Sequence, residues 1–159
     1  MTRTNDNEYQ VDSRKLQELA KSNEPAKAME LLLAGAAQAM NELYFDSELQ
    51  LPEIKLGRSN RVMGSYSSPV QGSKHSKRPG RIRISANADY PLLALLHELV
   101  HAWQYQHGEP VGHNPGFQEM ARKVGIWPYA RGRYTYGEIL ELKLGIQITQ
   151  ALGLGPVPE

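Results

Sequence analysis

The chain has 159 residues, a length that suits one compact domain, and its 40% apolar content is enough for a core. It contains no cysteine, which excludes disulfides, thiolate metal sites and a cysteine nucleophile, so any transition metal must be held by His, Asp or Glu. The formal net charge of +1 conceals a strong asymmetry along the chain. The opening MTRTNDNEYQ lacks the apolar centre of a secretory signal, and no run approaches the roughly 18 apolar residues of a membrane span. A cytoplasmic protein without a membrane partner is expected.

Residues 1–10 are polar and are expected to be disordered. Leu16 and Leu19 fall at helical spacing between Val11 and Ser22. Asn23 and Pro25 read as the cap and first turn of a second helix over Ala26–Tyr44, with Met29, Leu32, Leu33, Ala36, Met40 and Leu43 at intervals of three and four. Its alanines would allow close packing. Ile54–Arg58 and Arg61–Tyr66 read as short strands, Ser67–Gly80 as a loop or hairpin tip, and the alternating Arg81-Ile82-Arg83-Ile84-Ser85 as a third strand. A small antiparallel sheet is the expectation.

Asp89 to His107 forms the next helix, with Asp89 as cap and Gly108 as stop. Asn114-Pro115 opens another, with Phe117, Met120, Ala121 and Val124 on one face and Gly125 at its end. In the tail, Leu140, Leu142, Leu144, Ile146 and Ile148 alternate as in a strand, although Ile139, Leu142, Ile146 and Thr149 also fit a helix; strand is the expectation. Residues 151–159 read as a loose terminus. No internal repeat or second domain is visible.

The helix YPLLALLHELVHAWQYQHG carries the chemistry. His97 and His101 are four residues apart and project from one face, while Glu98 is offset by about 100°. This HExxH spacing lets two imidazoles bind one metal while the carboxylate reaches a water beside it. Leu92, Leu95, Leu96, Leu99 and Trp103 lie on the opposite side, so these are not histidines of the leucine stripe. A zinc ion needs a third protein ligand and a fourth position for water. His113, at the end of the short Gly108–Gly112 loop, is the better candidate; Glu119, on the following helix, is the rival. His107 and His75 read as surface residues.

The span HELVHAWQ followed by GHNPGFQEMARKVG resembles the SprT-like metallopeptidases, the group that includes Spartan, over roughly Leu51–Gly125. The resemblance implies an α+β, single zincin-like domain over 11–150: N-terminal helices, a small antiparallel sheet, the HExxH helix and a following ligand-bearing helix start. It implies Zn2+ on His97, His101 and His113, Glu98 as catalytic acid/base, and a protein substrate. The chain departs from the family in having Asn114-Pro115 after the third histidine, a short preceding loop, and no Cys-rich zinc ribbon. Tyr129, Arg131, Arg133, Tyr134 and Tyr136 crowd the segment that could supply an oxyanion partner.

Upstream, Lys55, Arg58, Arg61, Lys74, Lys77, Arg78, Arg81 and Arg83 occur with no acid between Lys55 and Arg83. Such a stretch suits phosphate contact, and beside the family resemblance it points to DNA. The expected activity is zinc-dependent hydrolysis of peptide bonds in proteins on or near DNA. The rivals are a repressor-cleaving regulatory peptidase of the IrrE-like kind, whose third ligand would be acidic, and a catalytically weak nucleic-acid-binding module that keeps zinc for structure.

Overall fold

The computed structural model describes residues 25–59, 61–69, 80–128 and 137–153. The expected disordered start, the helix over Val11–Ser22 and the tip of the Ser67–Gly80 loop lie outside the described residues. Among the described residues, seven elements follow in order: α1 (Pro25–Tyr44), β1 (Glu53–Gly57), β2 (Gly64–Ser67), β3 (Arg81–Ser85), α2 (Pro91–Gln106), α3 (Pro115–Val124) and α4 (Gly137–Ala151). The protein is of the α+β class.

α1 forms where expected, but the face it buries is rotated from the predicted one. Leu33, Ala36, Ala37 and Met40 are buried, with Ala34 and Ala39 beside them, whereas Met29, Leu32 and Leu43 are 42%, 43% and 46% exposed. The small alanines let α1 approach β1, α2 and α4 closely, and that packing outweighs the larger side chains of the neighbouring stripe. Asn41, in the last turn of α1, clamps the chain that returns past the helix end: its Nδ2 donates to the Leu49 carbonyl at 2.9 Å and its Oδ1 accepts from the Leu49 amide at 3.0 Å.

The sheet is mixed, not antiparallel. Its order is β1-β3-β2; β3 pairs in parallel with β1 (Ile54 opposite Ile82, Leu56 opposite Ile84) and antiparallel with β2 (Gly64 opposite Ile84, Tyr66 opposite Ile82). Alternation within a strand sets which side chains face the core, not the direction of its partner, so the local pattern could not foretell this pairing. Ile54, Ile82 and Ile84 point to the helices, while Lys55, Arg81 and Arg83 are exposed on the opposite face.

α2 lies at the centre. Leu93, Leu95, Leu96, Leu99, Val100 and Ala102 are all buried, and the helix packs on β2, β3, α1, α3 and α4. Pro91 occupies its first turn, where the missing N–H is no loss. Asp89 is not its cap: the N-cap is Tyr90, and no side chain there bonds the helix. The Glu141 carboxylate of α4 does so instead, accepting from the Leu92 amide at 2.7 Å and the Leu93 amide at 2.9 Å. α3 begins and ends as expected. Asn114 accepts from the Phe117 amide, and Gly125 closes the helix at φ 86°.

The tail is a helix, not a strand. Leu140, Leu144 and Ile148, four residues apart, turn inward as α4 packs on α2 and α1, while Ile139, Leu142 and Ile146 remain exposed. With apolar residues at nearly every second position, both periods fit the sequence, and docking against α2 selects the helical one.

Candidate metal centre

Two turns of α2 and one loop build the site. His97 and His101 stand one helical turn apart on α2. Asn114, by capping α3, turns the backbone so that His113 folds back over them. The Nε2 atom of His113 lies 3.0 Å from Nε2 of His97 and 3.2 Å from Nε2 of His101. Imidazole nitrogens bound to one tetrahedral ion at 2.0–2.1 Å lie roughly 3.3 Å from each other, so these atoms are already near ligand spacing. The three histidines are close enough to hold one metal ion. His101 is buried, His97 partly so, and His113 is exposed, which gives the cluster one open side.

Phe117 forms the floor. Its ring centroid is 4.8 Å from that of His97, 4.6 Å from His101 and 4.9 Å from His113, and it stacks on His101 at an interplanar angle of 26°. The histidine face of α2 is therefore partly covered by α3, because the amphipathic α3 needs a surface for Phe117, Met120 and Val124. Burial, then the neighbouring His101 and His113, push the pKa of His97 down to about 3. Burial also lowers His101, against the opposing effect of its hydrogen bond to Gln104 Oε1, and lowers His113. All three are thereby held in the neutral form that binds metals.

Glu98 is 6% exposed, and burial raises its carboxyl pKa to about 8. Its side chain lies beneath the edge strand β2. A Cβ added at Gly64 would stand 3.2 Å from Glu98 Cγ, Glu98 Oε2 and Ile84 Cδ1. Gly64 thus permits a close approach that a larger residue would crowd, a role the sequence reading missed and that a glycine opening a strand could have signalled.

Gln104 was also missed. Fully buried on α2, it faces His101 Nδ1 through Oε1 at 2.9 Å, and its Nε2 donates to Asn114 Oδ1 at 2.9 Å. Its only sequence signal was a polar residue three positions after a candidate ligand.

The rival third ligand, Glu119, is exposed on α3 and is not among the clustered groups. His113→Ala is therefore expected to weaken zinc binding at least tenfold, and Glu119→Ala to leave it within about twofold, in chelator competition. The reverse order would transfer the third position to the carboxylate. His107 is remote from the cluster; its Nδ1 is 2.9 Å from the Trp103 carbonyl and its Nε2 3.8 Å from Glu48. His75, Lys74, Lys77, Arg78, Tyr129, Arg131, Arg133, Tyr134 and Tyr136 lie outside the described residues.

The remaining basic residues gather away from the histidines. Lys55 and Arg83 are register partners on the exposed sheet face, Arg81 lies on the same face, and Arg58 and Arg61 are exposed in the following turn. Arg81 is partly neutralised: its Nε donates to Glu53 Oε1 at 2.6 Å, an acid just ahead of the acid-free stretch. Among the described residues, no helix is long and apolar enough to cross a membrane.

No protein-family model matches the chain, and neither a curated protein nor a solved structure matches it significantly.

Proposed function

We propose that the chain is a zinc metalloendopeptidase of the SprT-like kind, with His97, His101 and His113 as metal ligands and Glu98 as general base. The observation that carries this reading is the convergence of two imidazole Nε2 atoms of an HExxH helix, those of His97 and His101, on Nε2 of His113 just ahead of the next helix, at 3.0 and 3.2 Å. Three nitrogen donors with one open side match the donor set of catalytic zinc. Zinc held by these residues would supply a Lewis acid and activate water near neutral pH.

The protein's own part is to hold and move a proton. Glu98 adjoins the ligand His97 but is not one of the clustered groups. Burial alone keeps its carboxyl protonated to about pH 8, and a neighbouring divalent cation favours the ionised form. Metal uptake and readiness of the base are thus coupled. Glu98 accepts a proton at its carboxylate and returns it to the leaving amine. The exposed Glu119 speaks against the IrrE-like reading, which calls for an acidic third ligand.

The direct test combines elemental analysis with cleavage of a denatured protein, using EDTA-stripped and zinc-reloaded samples. The wild type is expected to take up about one zinc per chain, and His97→Ala and His101→Ala to lose it. Equal zinc retention in both variants would remove the metal assignment, and zinc uptake without cleavage would favour a structural zinc module.

The exposed sheet face supports DNA as the setting of the substrate. Lys55, Arg58, Arg61 and Arg83, with Arg81 weakened by Glu53, would displace counterions from phosphates. Affinity for oligonucleotides is expected to fall with salt by a log–log slope of about −0.7 to −0.9 per phosphate contacted, with little sequence preference. Charge reversal of Lys55 and Arg83 should flatten the slope and spare zinc. Fluorescence anisotropy at several salt concentrations measures both, and no affinity at low salt would sink the DNA-associated role.

A further inference from the structure

We propose that Gln104 is a positioning residue: it fixes the tautomer of His101 and ties the loop that carries His113 to α2. The inference rests on the metal-site reading above.

Backbone groups have only one possible role in a hydrogen bond, and they set the direction of this network. The Phe117 amide can only donate, so the Asn114 atom 3.1 Å from it is Oδ1. The Pro110 carbonyl can only accept, so the Asn114 atom 2.9 Å from it is Nδ2. Asn114 Oδ1 then takes its second hydrogen from Gln104 Nε2 at 2.9 Å. This leaves Gln104 Oε1 facing the Gly112 amide at 3.2 Å and His101 Nδ1 at 2.9 Å. An amide oxygen has no proton to give, so His101 Nδ1 carries it. The Nε2 lone pair of the neutral ring is then presented towards His113 Nε2.

Nδ1–H is the minor tautomer of free histidine in water, so the protein selects it. Gln104 is fully buried, and turning its amide over would face hydrogen with hydrogen at Gly112 and oxygen with oxygen at Asn114. The same side chain holds both neighbours of His113, namely Gly112 and Asn114. Orientation of one ligand and placement of another thus depend on a single amide. The Asn114-Pro115 departure from the family pattern has a role here: Asn114 caps α3 and receives the Gln104 amide together.

The test uses the full chain, with zinc as probe. Gln104→Met keeps the length and burial of the side chain and removes both polar links. Gln104→Glu keeps an acceptor for His101 and Gly112 and loses the donor to Asn114. Long-range 1H–15N NMR of the EDTA-treated wild type is expected to show His101 protonated at Nδ1. Gln104→Met should lose that preference and bind zinc about 10–100-fold more weakly in chelator competition. Gln104→Glu should retain the Nδ1–H signature and recover part of the affinity. Wild-type His101 protonated at Nε2, or zinc binding by Gln104→Met within twofold of wild type, would overturn the proposal. If Gln104→Met does not fold, the wild-type tautomer and Gln104→Glu decide. Failure of the wild type to take up zinc would overturn the metal-site reading instead, while the tautomer measured without metal still judges Gln104.

Discussion

Glu98→Gln is expected to abolish hydrolysis, by about 10²–10⁴-fold, while retaining zinc and fold. Gln matches Glu in size but cannot accept a proton, and Glu98 is not one of the three groups gathered for the metal. The variant also has a signature in the EDTA-treated protein that does not depend on activity. Burial raises the folded-state pKa of Glu98 from 4.5 to about 8. A raised carboxyl pKa means that folding favours the protonated form. Its contribution to stability is complete below pH 4.5 and is lost as pH rises through about 8. The full loss is on the order of 5 kcal/mol. Glu98→Gln has no such titration, so its stability relative to wild type should improve between pH 5 and pH 8.5. The lowered histidine pKa values penalise acid conditions in both proteins and largely cancel. Urea unfolding at the two pH values measures the difference. An unchanged gap would mean that Glu98 is not desolvated, and undiminished cleavage would remove it from the mechanism.

Phe117→Ala is expected to damage stability and metal binding at once. The ring is fully buried and within 4.6–4.9 Å, centroid to centroid, of all three imidazoles. Truncation of a buried phenylalanine costs about 3–5 kcal/mol, and here the space left borders the ligands themselves. Zinc affinity should therefore fall with stability. Phe117→Leu fills most of the volume and should recover most of the stability, yet leave the histidines without a flat surface to stack on. Urea melts of the metal-free proteins beside chelator competition would separate the effects. Zinc affinity unchanged in a folded Phe117→Ala would show that the imidazoles are held without the ring.

The outline of the site was legible because its first half is local. His97, Glu98 and His101 are fixed relative to one another by helix geometry alone, and Gly112-His113-Asn114-Pro115 announces a helix start with a candidate ligand just ahead of it. What supports them was not legible. Gln104 faces His101 within its own helix, but its other partners arrive only when the loop returns. Gly64 matters through a distant glutamate, and Phe117 read as an ordinary core residue. The same boundary separates the correct from the incorrect parts of the fold. α2 follows from local periodicity, and α3 from periodicity together with its Asn114 and Gly125 caps. The parallel pairing of β1 with β3, the Ala-lined face of α1 and the helical α4 were each decided by contacts between distant segments.

The capping of α2 by Glu141 has a consequence for the order in which the protein can be completed. The two bonds to Leu92 and Leu93 span 49 and 48 residues, and the acceptor follows every candidate ligand in the chain. During synthesis, His97, His101 and His113 are therefore all present while the first turn of the helix bearing two of them still lacks its carboxylate. A nascent chain cut short before Glu141 would carry the whole ligand set on a helix with an unfinished beginning. The first turn of the helix that presents two of the candidate ligands is thus completed from a part of the chain made after all of them.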